Sequence, residues 1–115
     1  MKNVSKPLLL DIELYGEHYK VYIELKRYVE TRGLAIMLNT LKDGPFAHIT
    51  KNLGEILNHN EAYIDTNNNP WVEKLIAKYE LGIRICSKNA GYCLYPLYRF
   101  DMAKLYPYTY QGGAE

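Results

Sequence analysis

Two runs of strict two-residue alternation stand almost back to back near the start of the chain, and they leave room for little but a β-hairpin. Over residues 8–15, Leu8, Leu10, Ile12 and Leu14 alternate with Leu9, Asp11, Glu13 and Tyr15, the pattern of a strand with one buried face. A Gly16-Glu17 turn follows. Residues 19–29 then repeat the pattern, with Tyr19, Val21, Ile23 and Leu25 opposed to Lys20, Tyr22, Glu24 and Lys26. Glu, Leu and Lys favour helix, but helical spacing would carry Lys20 and Glu24 into the core, so the alternation decides for strand.

Further strands are expected in order. Thr31-Arg32-Gly33 turns the chain into a third strand over 34–41, apolar on both faces and therefore central. Lys42-Asp43-Gly44 is a hairpin signal. A fourth strand is expected over 45–53, with Pro45 at its start, followed by a polar connection over 54–60 that tucks Ile56 and Leu57 inward. Ala62-Tyr63-Ile64 reads as one edge strand. After a central helix, 83–86 is a short strand, 87–91 a turn, and 92–100 the last strand, which Pro96 places at an edge or a bulge.

The helix signal lies in the middle. Asp65-Thr66-Asn67-Asn68-Asn69-Pro70 is turn chemistry, with Asn69 a natural N-cap and Pro70 a first helical residue. Trp71, Val72, Leu75, Ile76 and Tyr79 then recur at helical spacing, and Gly82 is a plausible terminator. A helix of about ten residues is expected. The expected fold class is α+β: an antiparallel sheet of five to six strands, mostly meander, with one main α-helix packed on one face, in a single domain over 1–115. The tail over 106–115 is expected to be loosely held.

Composition narrows the function classes. The formal net charge of +1 gives no general field for nucleic acid or acidic membranes, and direct nucleic-acid binding is not expected. Lys20 and Lys26 share a face with Tyr22 and Tyr28, but Glu24 and Glu30 intervene, so a solvated sheet face is the better reading. No secretory segment and no membrane span is expected, which points to the cytoplasm. The chain holds 2 Cys, too few for a disulfide framework or a Cys-rich zinc site. Cys86 and Cys93 flank the last hairpin and would face one another only in one loop register. They read as small core residues, with a redox pair as the alternative.

Catalytic motifs are missing. His18, His48 and His59 lack metal-site spacing, and no phosphate-binding glycine loop or nucleophile elbow occurs. No cofactor, no metal and no enzyme activity is expected. What stands out is 12 Tyr against 2 Phe and 1 Trp. Tyr suits half-buried strands, but it also suits binding surfaces, because a rigid ring carries a polar tip. The candidate binding residues are accordingly Asp65, Asn67, Asn68 and Trp71 in the central turn, and Tyr92, Tyr95, Tyr98 and Arg99 on the last strand. The Asn cluster also reads simply as a capped loop, and Trp71 as core.

Several segments together carry a family resemblance: 15–20 (Tyr-Gly-Glu-His-Tyr-Lys), 33–36 (Gly-Leu-Ala-Ile), 49–53 (Ile-Thr-Lys-Asn-Leu), 62–68 (Ala-Tyr-Ile-Asp-Thr-Asn-Asn) and 91–98 (Gly-Tyr-Cys-Leu-Tyr-Pro-Leu-Tyr). Over about residues 14–105 the chain resembles a family of small bacterial proteins, domain of unknown function 4313. Arg32-Gly33 stands where that family usually has Asn-Gly, and Lys51 where it usually has Val. The resemblance implies cargo of phages, conjugative elements and gut Firmicutes genomes, with no assigned activity.

Two functions are expected from this. The first is a non-catalytic binding protein of a phage or mobile element, an anti-defence inhibitor in the manner of anti-CRISPR proteins, which masks the surface of a host defence complex. The second is a small-ligand protein that sequesters a nucleotide signal. It would stack a base on Tyr or Trp71, meet it with Asn67 and Asn68, and hold phosphate with Arg99 or Lys51. A homo-oligomer is compatible with either.

Overall fold

The first hairpin forms as its alternation requires. In the computed structural model of the chain, which describes residues 6–110, β1 (Leu10–Leu14) and β2 (Glu17–Arg27) pair antiparallel with Leu14 opposite Glu17. Between them Tyr15 and Gly16 both have positive φ, 53° and 82°, the backbone of a type I′ turn whose twist suits a hairpin. Gly takes that conformation freely, whereas Tyr15 bears a steric cost there and leaves its ring in solvent. β3 (Leu34–Thr40) and β4 (Gly44–His48) continue the meander, giving a sheet of order β1-β2-β3-β4. The apolar third strand is interior, as expected, with Leu34, Ile36 and Leu38 buried.

The expected single sheet of five to six strands under one main helix is not what forms. The chain builds two antiparallel sheets of four strands each. They part company at Ile49. The strand expected over 45–53 breaks there, and β5 (Thr50–Lys51) joins β6 (Glu61–Ile64), β7 (Gly82–Ala90) and β8 (Cys93–Phe100) in a second sheet of order β5-β6-β8-β7. The Ile49 amide donates to the Ile36 carbonyl (3.0 Å), while its carbonyl accepts from the Asp65 amide (2.9 Å). One residue thus ties both sheets. Ile49 and Thr50 are buried in succession, so alternation does lapse, but a lapse of one residue reads equally as a β-bulge.

Other boundaries move for local reasons. The run 62–64, expected as an edge, lies inside the second sheet between β5 and β8, and β6 is buried throughout. β7 runs on through the expected 87–91 turn. The hairpin closes instead on Gly91-Tyr92, with Ala90 opposite Cys93 and Gly91 at φ 63°, as a Gly-first type II′ turn demands. Pairing between β6 and β8 stops at Leu97, so Pro96 has a neighbouring strand, β7, on one side only, which is where proline is tolerated.

The helix, α1 (Val72–Tyr79), has 8 residues and starts later than expected. Asn69 is not its cap. Trp71 holds that position without a side-chain bond, while the Asn69 amide donates to the carbonyls of His48 (3.1 Å) and Asp65 (3.3 Å). Nor does Gly82 end it, since Glu80 takes the left-handed conformation at φ 55°. Gly82 serves a different need: a Cβ there would lie 2.6 Å from the Arg99 carbonyl oxygen across the β7–β8 ladder.

One core fills the space between the sheets. It joins Leu10, Ile12, Val21, Ile23, Ile36 and Leu38 of the first sheet to Ile64, Tyr98 and Phe100 of the second, with Val72 and Ile76 of α1 closing one side. Each fully buried aliphatic side chain contributes about 1.5–3 kcal/mol. A smaller cluster lies on the opposite face of the second sheet, where Tyr63, Tyr95 and Leu97 are covered by Leu53 and Leu57 of the 52–60 connection. The tail expected to be loose from Tyr106 is anchored over its described part. After α2 (Met102–Leu105) and a 3-10 turn at Tyr106–Tyr108, the Leu8 amide donates to Pro107 (2.9 Å) and Tyr108 packs edge-on against Tyr79. Residues 111–115 lie outside the described residues.

Candidate functional site

A polar cavity of about 470 Å³ opens where the two sheets meet, along the free edge of β5. Because β5 has only 2 residues, side chains rather than another strand close the ladder. The Thr50 hydroxyl accepts from the Ile36 amide of the first sheet (3.1 Å) and contacts the Tyr28 hydroxyl (2.9 Å) and His48 Nε2 (3.2 Å). Tyr28 in turn lies 3.1 Å from His48 Nε2. The Tyr28 hydroxyl, the Thr50 hydroxyl and His48 Nε2 thus close one hydrogen-bonded triangle, in which either hydroxyl can donate or accept. Burial pushes the Tyr28 hydroxyl up, against the lowering effect of its Thr50 bond and helped by the Asp65 carboxylate. It therefore stays a donor at neutral pH.

The central turn supplies the other wall. Asp65 is buried and accepts from the Asn68 amide N–H (3.2 Å) and from its side-chain Nδ2 (2.7 Å). Of the residues picked out in the sequence, the structure brings Asp65 and Asn68 together here with Lys51 and Asn52. Asn67 is exposed nearby. Trp71 is elsewhere: half-buried, it packs edge-on against Phe46 with ring centroids 5.9 Å apart, at the margin of the main core. Arg99 does not line the cavity; it pairs with Glu61 at 3.4 Å, farther along the second sheet. Sequence reasoning passed over Tyr28, His48 and Thr50, because a hydroxyl or imidazole in an alternating strand carries no mark of the partner it meets across a fold.

The tyrosine stripe does not form a surface. Tyr95 and Tyr98 are only 6% and 7% exposed and point to opposite faces of β8. Tyr98 donates to Glu73 (2.7 Å), and burial, reinforced by that bond, pushes its hydroxyl up to about 12. Tyr63 behaves alike, pushed to about 12 by burial and its bond to Glu55. Tyr92 is fully exposed at the hairpin tip. Cys86 and Cys93 share a face but pair with Leu97 and Ala90, so they do not confront each other.

The exposed apolar side chains of this region lie on the other strand. β7 is a 9-residue edge strand carrying Ile83 and Ile85 at 63% and 39% exposure, and the hairpin adds Leu94 at 50% beside Tyr92. Ile85 is the extra residue of a bulge between Arg84 and Cys86. Among the described residues no group of three His, Cys, Asp or Glu side chains is placed to hold a metal ion, and no helix is long and apolar enough to cross a membrane.

No curated protein and no solved structure matches this chain. One family does: Domain of unknown function (DUF4313) matches residues 22–114, from the middle of β2 to beyond the 3-10 turn. Both the cavity and the β7–β8 hairpin fall inside that span, and the chain belongs to the DUF4313 family.

Proposed function

We propose that the chain is a non-catalytic binding protein that docks on a protein partner through the outward edge and tip of the β7–β8 hairpin, masking the surface it covers. The observation that carries this reading is the exposure of Ile83 and Ile85 on an edge strand with no neighbouring strand among the described residues, with Tyr92 and Leu94 exposed at the tip of the same hairpin. Proteins ordinarily shorten or cover such edges, and a long exposed apolar edge strand is a ready template for association. The bulge at Ile85 and the cations Arg84 and Lys88 oppose extension of the sheet. Docking therefore works through side chains seated in an apolar cleft of the partner, not through an added strand. In its finer form the partner is a host defence complex, the setting that the family resemblance implies.

The best-placed hydroxyl for chemistry supports the non-catalytic side of this reading. Thr50 touches an imidazole, yet its side chain is buried and already accepts a backbone N–H, which favours a structural role for it. The test is a photo-crosslinking residue placed at Ile85, at Leu94 or at the exposed Val29 as control, in cells that carry the natural partner. An adduct of one defined mass from Ile85 and Leu94 but not from Val29 is the expected result. No adduct from the hairpin, equal adducts from Val29, or adducts only to a second copy of the chain would overturn it.

A further inference from the structure

We infer that the cavity at the β5 edge is a separate small-ligand site for a nucleoside phosphate, with the anionic group at Lys51 and the N–H donors of the base at Asp65 and Asn68. This does not depend on what the hairpin binds. The cavity has two chemically distinct ends. At one, the exposed Lys51 ammonium has no carboxylate within 4 Å among the described residues. Beside it Asn52 spends its Oδ1 on the Gly54 amide (3.0 Å), which leaves its Nδ2 free to donate. The exposed His48 ring borders the same cavity. A cation with a neutral amide donor beside it is the chemistry that holds phosphate.

At the other end the Asp65 carboxylate accepts two bonds, both from Asn68. Two carboxylate oxygens have about four acceptor sites, and the Asn68 Oδ1 is a further acceptor. These groups ask for a ligand that donates from adjacent N–H groups, as the Watson–Crick edge of guanine does. The rings of Tyr28 and His48, 28° from parallel with centroids 6.1 Å apart, give the cavity an aromatic wall. Its volume of about 470 Å³ lies in the range of small-molecule sites, about 300–1,000 Å³. A bare anion satisfies only the Lys51 end and meets the field of Asp65, so the joined ligand is favoured over its parts.

Isothermal titration of the purified full chain with GMP, guanosine and inorganic phosphate separates the two ends. GMP is expected to bind most tightly and phosphate alone most weakly. Lys51→Gln, at an exposed position, is expected to weaken GMP about tenfold and leave guanosine unchanged, the loss of one charge-assisted contact. Asn68→Ala is expected to weaken both. Absence of saturable GMP binding at millimolar concentration, or equal GMP affinity in wild type and Lys51→Gln, would overturn the assignment.

Discussion

The second sheet manages its two edges in opposite ways. At β5 the edge is 2 residues long and is closed by hydroxyls, amides and an imidazole reaching over from the first sheet and the central turn. At β7 the edge is 9 residues long, has no neighbouring strand among the described residues, and carries a bulge and two paired cations. A short, capped edge leaves a cavity lined by fixed polar groups, which suits a small ligand. A long, open, apolar edge leaves a surface, which suits a protein. On the two proposals above, the same sheet would serve two kinds of recognition at its opposite margins, and substitutions at each should fail in different ways.

The largest effect is expected at the root of the open edge. Gly82→Ala puts a Cβ 2.6 Å from the Arg99 carbonyl, so β7 must move off β8, at a cost of about 3 kcal/mol. Denaturant unfolding measures it, and a loss below that of an ordinary surface change would mean the two strands are not so closely apposed. Next is the capped edge. Thr50→Val keeps the shape but leaves the Ile36 amide without its acceptor, for about 2 kcal/mol. Tyr28→Phe, which removes a hydroxyl but strands no backbone group, should cost about 1 kcal/mol.

Acid sharpens the contrast further. Glu55 bonds Lys88 of β7 and Tyr63 beneath it, and these bonds, Lys88 first, hold its carboxyl below the usual 4.5. A depressed carboxyl stabilises the fold above its unfolded value and loses that contribution as pH falls through its folded value. Below pH 4.5 the wild type should therefore lose stability more steeply than Lys88→Gln. Equal acid profiles would show that this tie does not hold the connection over the hairpin. The smallest effect on stability belongs to Ile85→Ser, within about 0.5 kcal/mol, although the proposed docking should be lost with it.

How much of this could be read from residues alone follows the same division. The first sheet was legible because Leu10–Leu14 and Glu17–Arg27 each bury one face and solvate the other, so period two is written plainly. The second sheet was not. β6 is buried on both faces, and β8 buries Tyr95 through Tyr98 in succession, because the 52–60 connection covers its back. The helix was legible in kind from Trp71, Val72, Leu75 and Ile76, but its start was not, since Asn69 is bound by His48 and Asp65 rather than by helix amides. Of the residues lining the β5 cavity, Asp65 and Asn68 stood out in the sequence through turn chemistry. Tyr28, His48 and Thr50 meet only after the chain crosses between sheets at Ile49, and Ile83 and Ile85 looked like any strand until the sheet order left them at an edge.

Amide hydrogen exchange along β7 is the most direct test of the open edge, on the isolated chain and again with the protein captured at Ile85. In the isolated chain, the alternate β7 amides not directed at β8 should exchange freely at every concentration, while Ile36 and Ile49 at the capped junction stay protected. With the partner bound, protection should appear on β7 and around Leu94 and leave the junction unchanged. Strong protection of those outward β7 amides in the isolated chain, or partner protection confined to the β5 side, would contradict the assignment of the two edges.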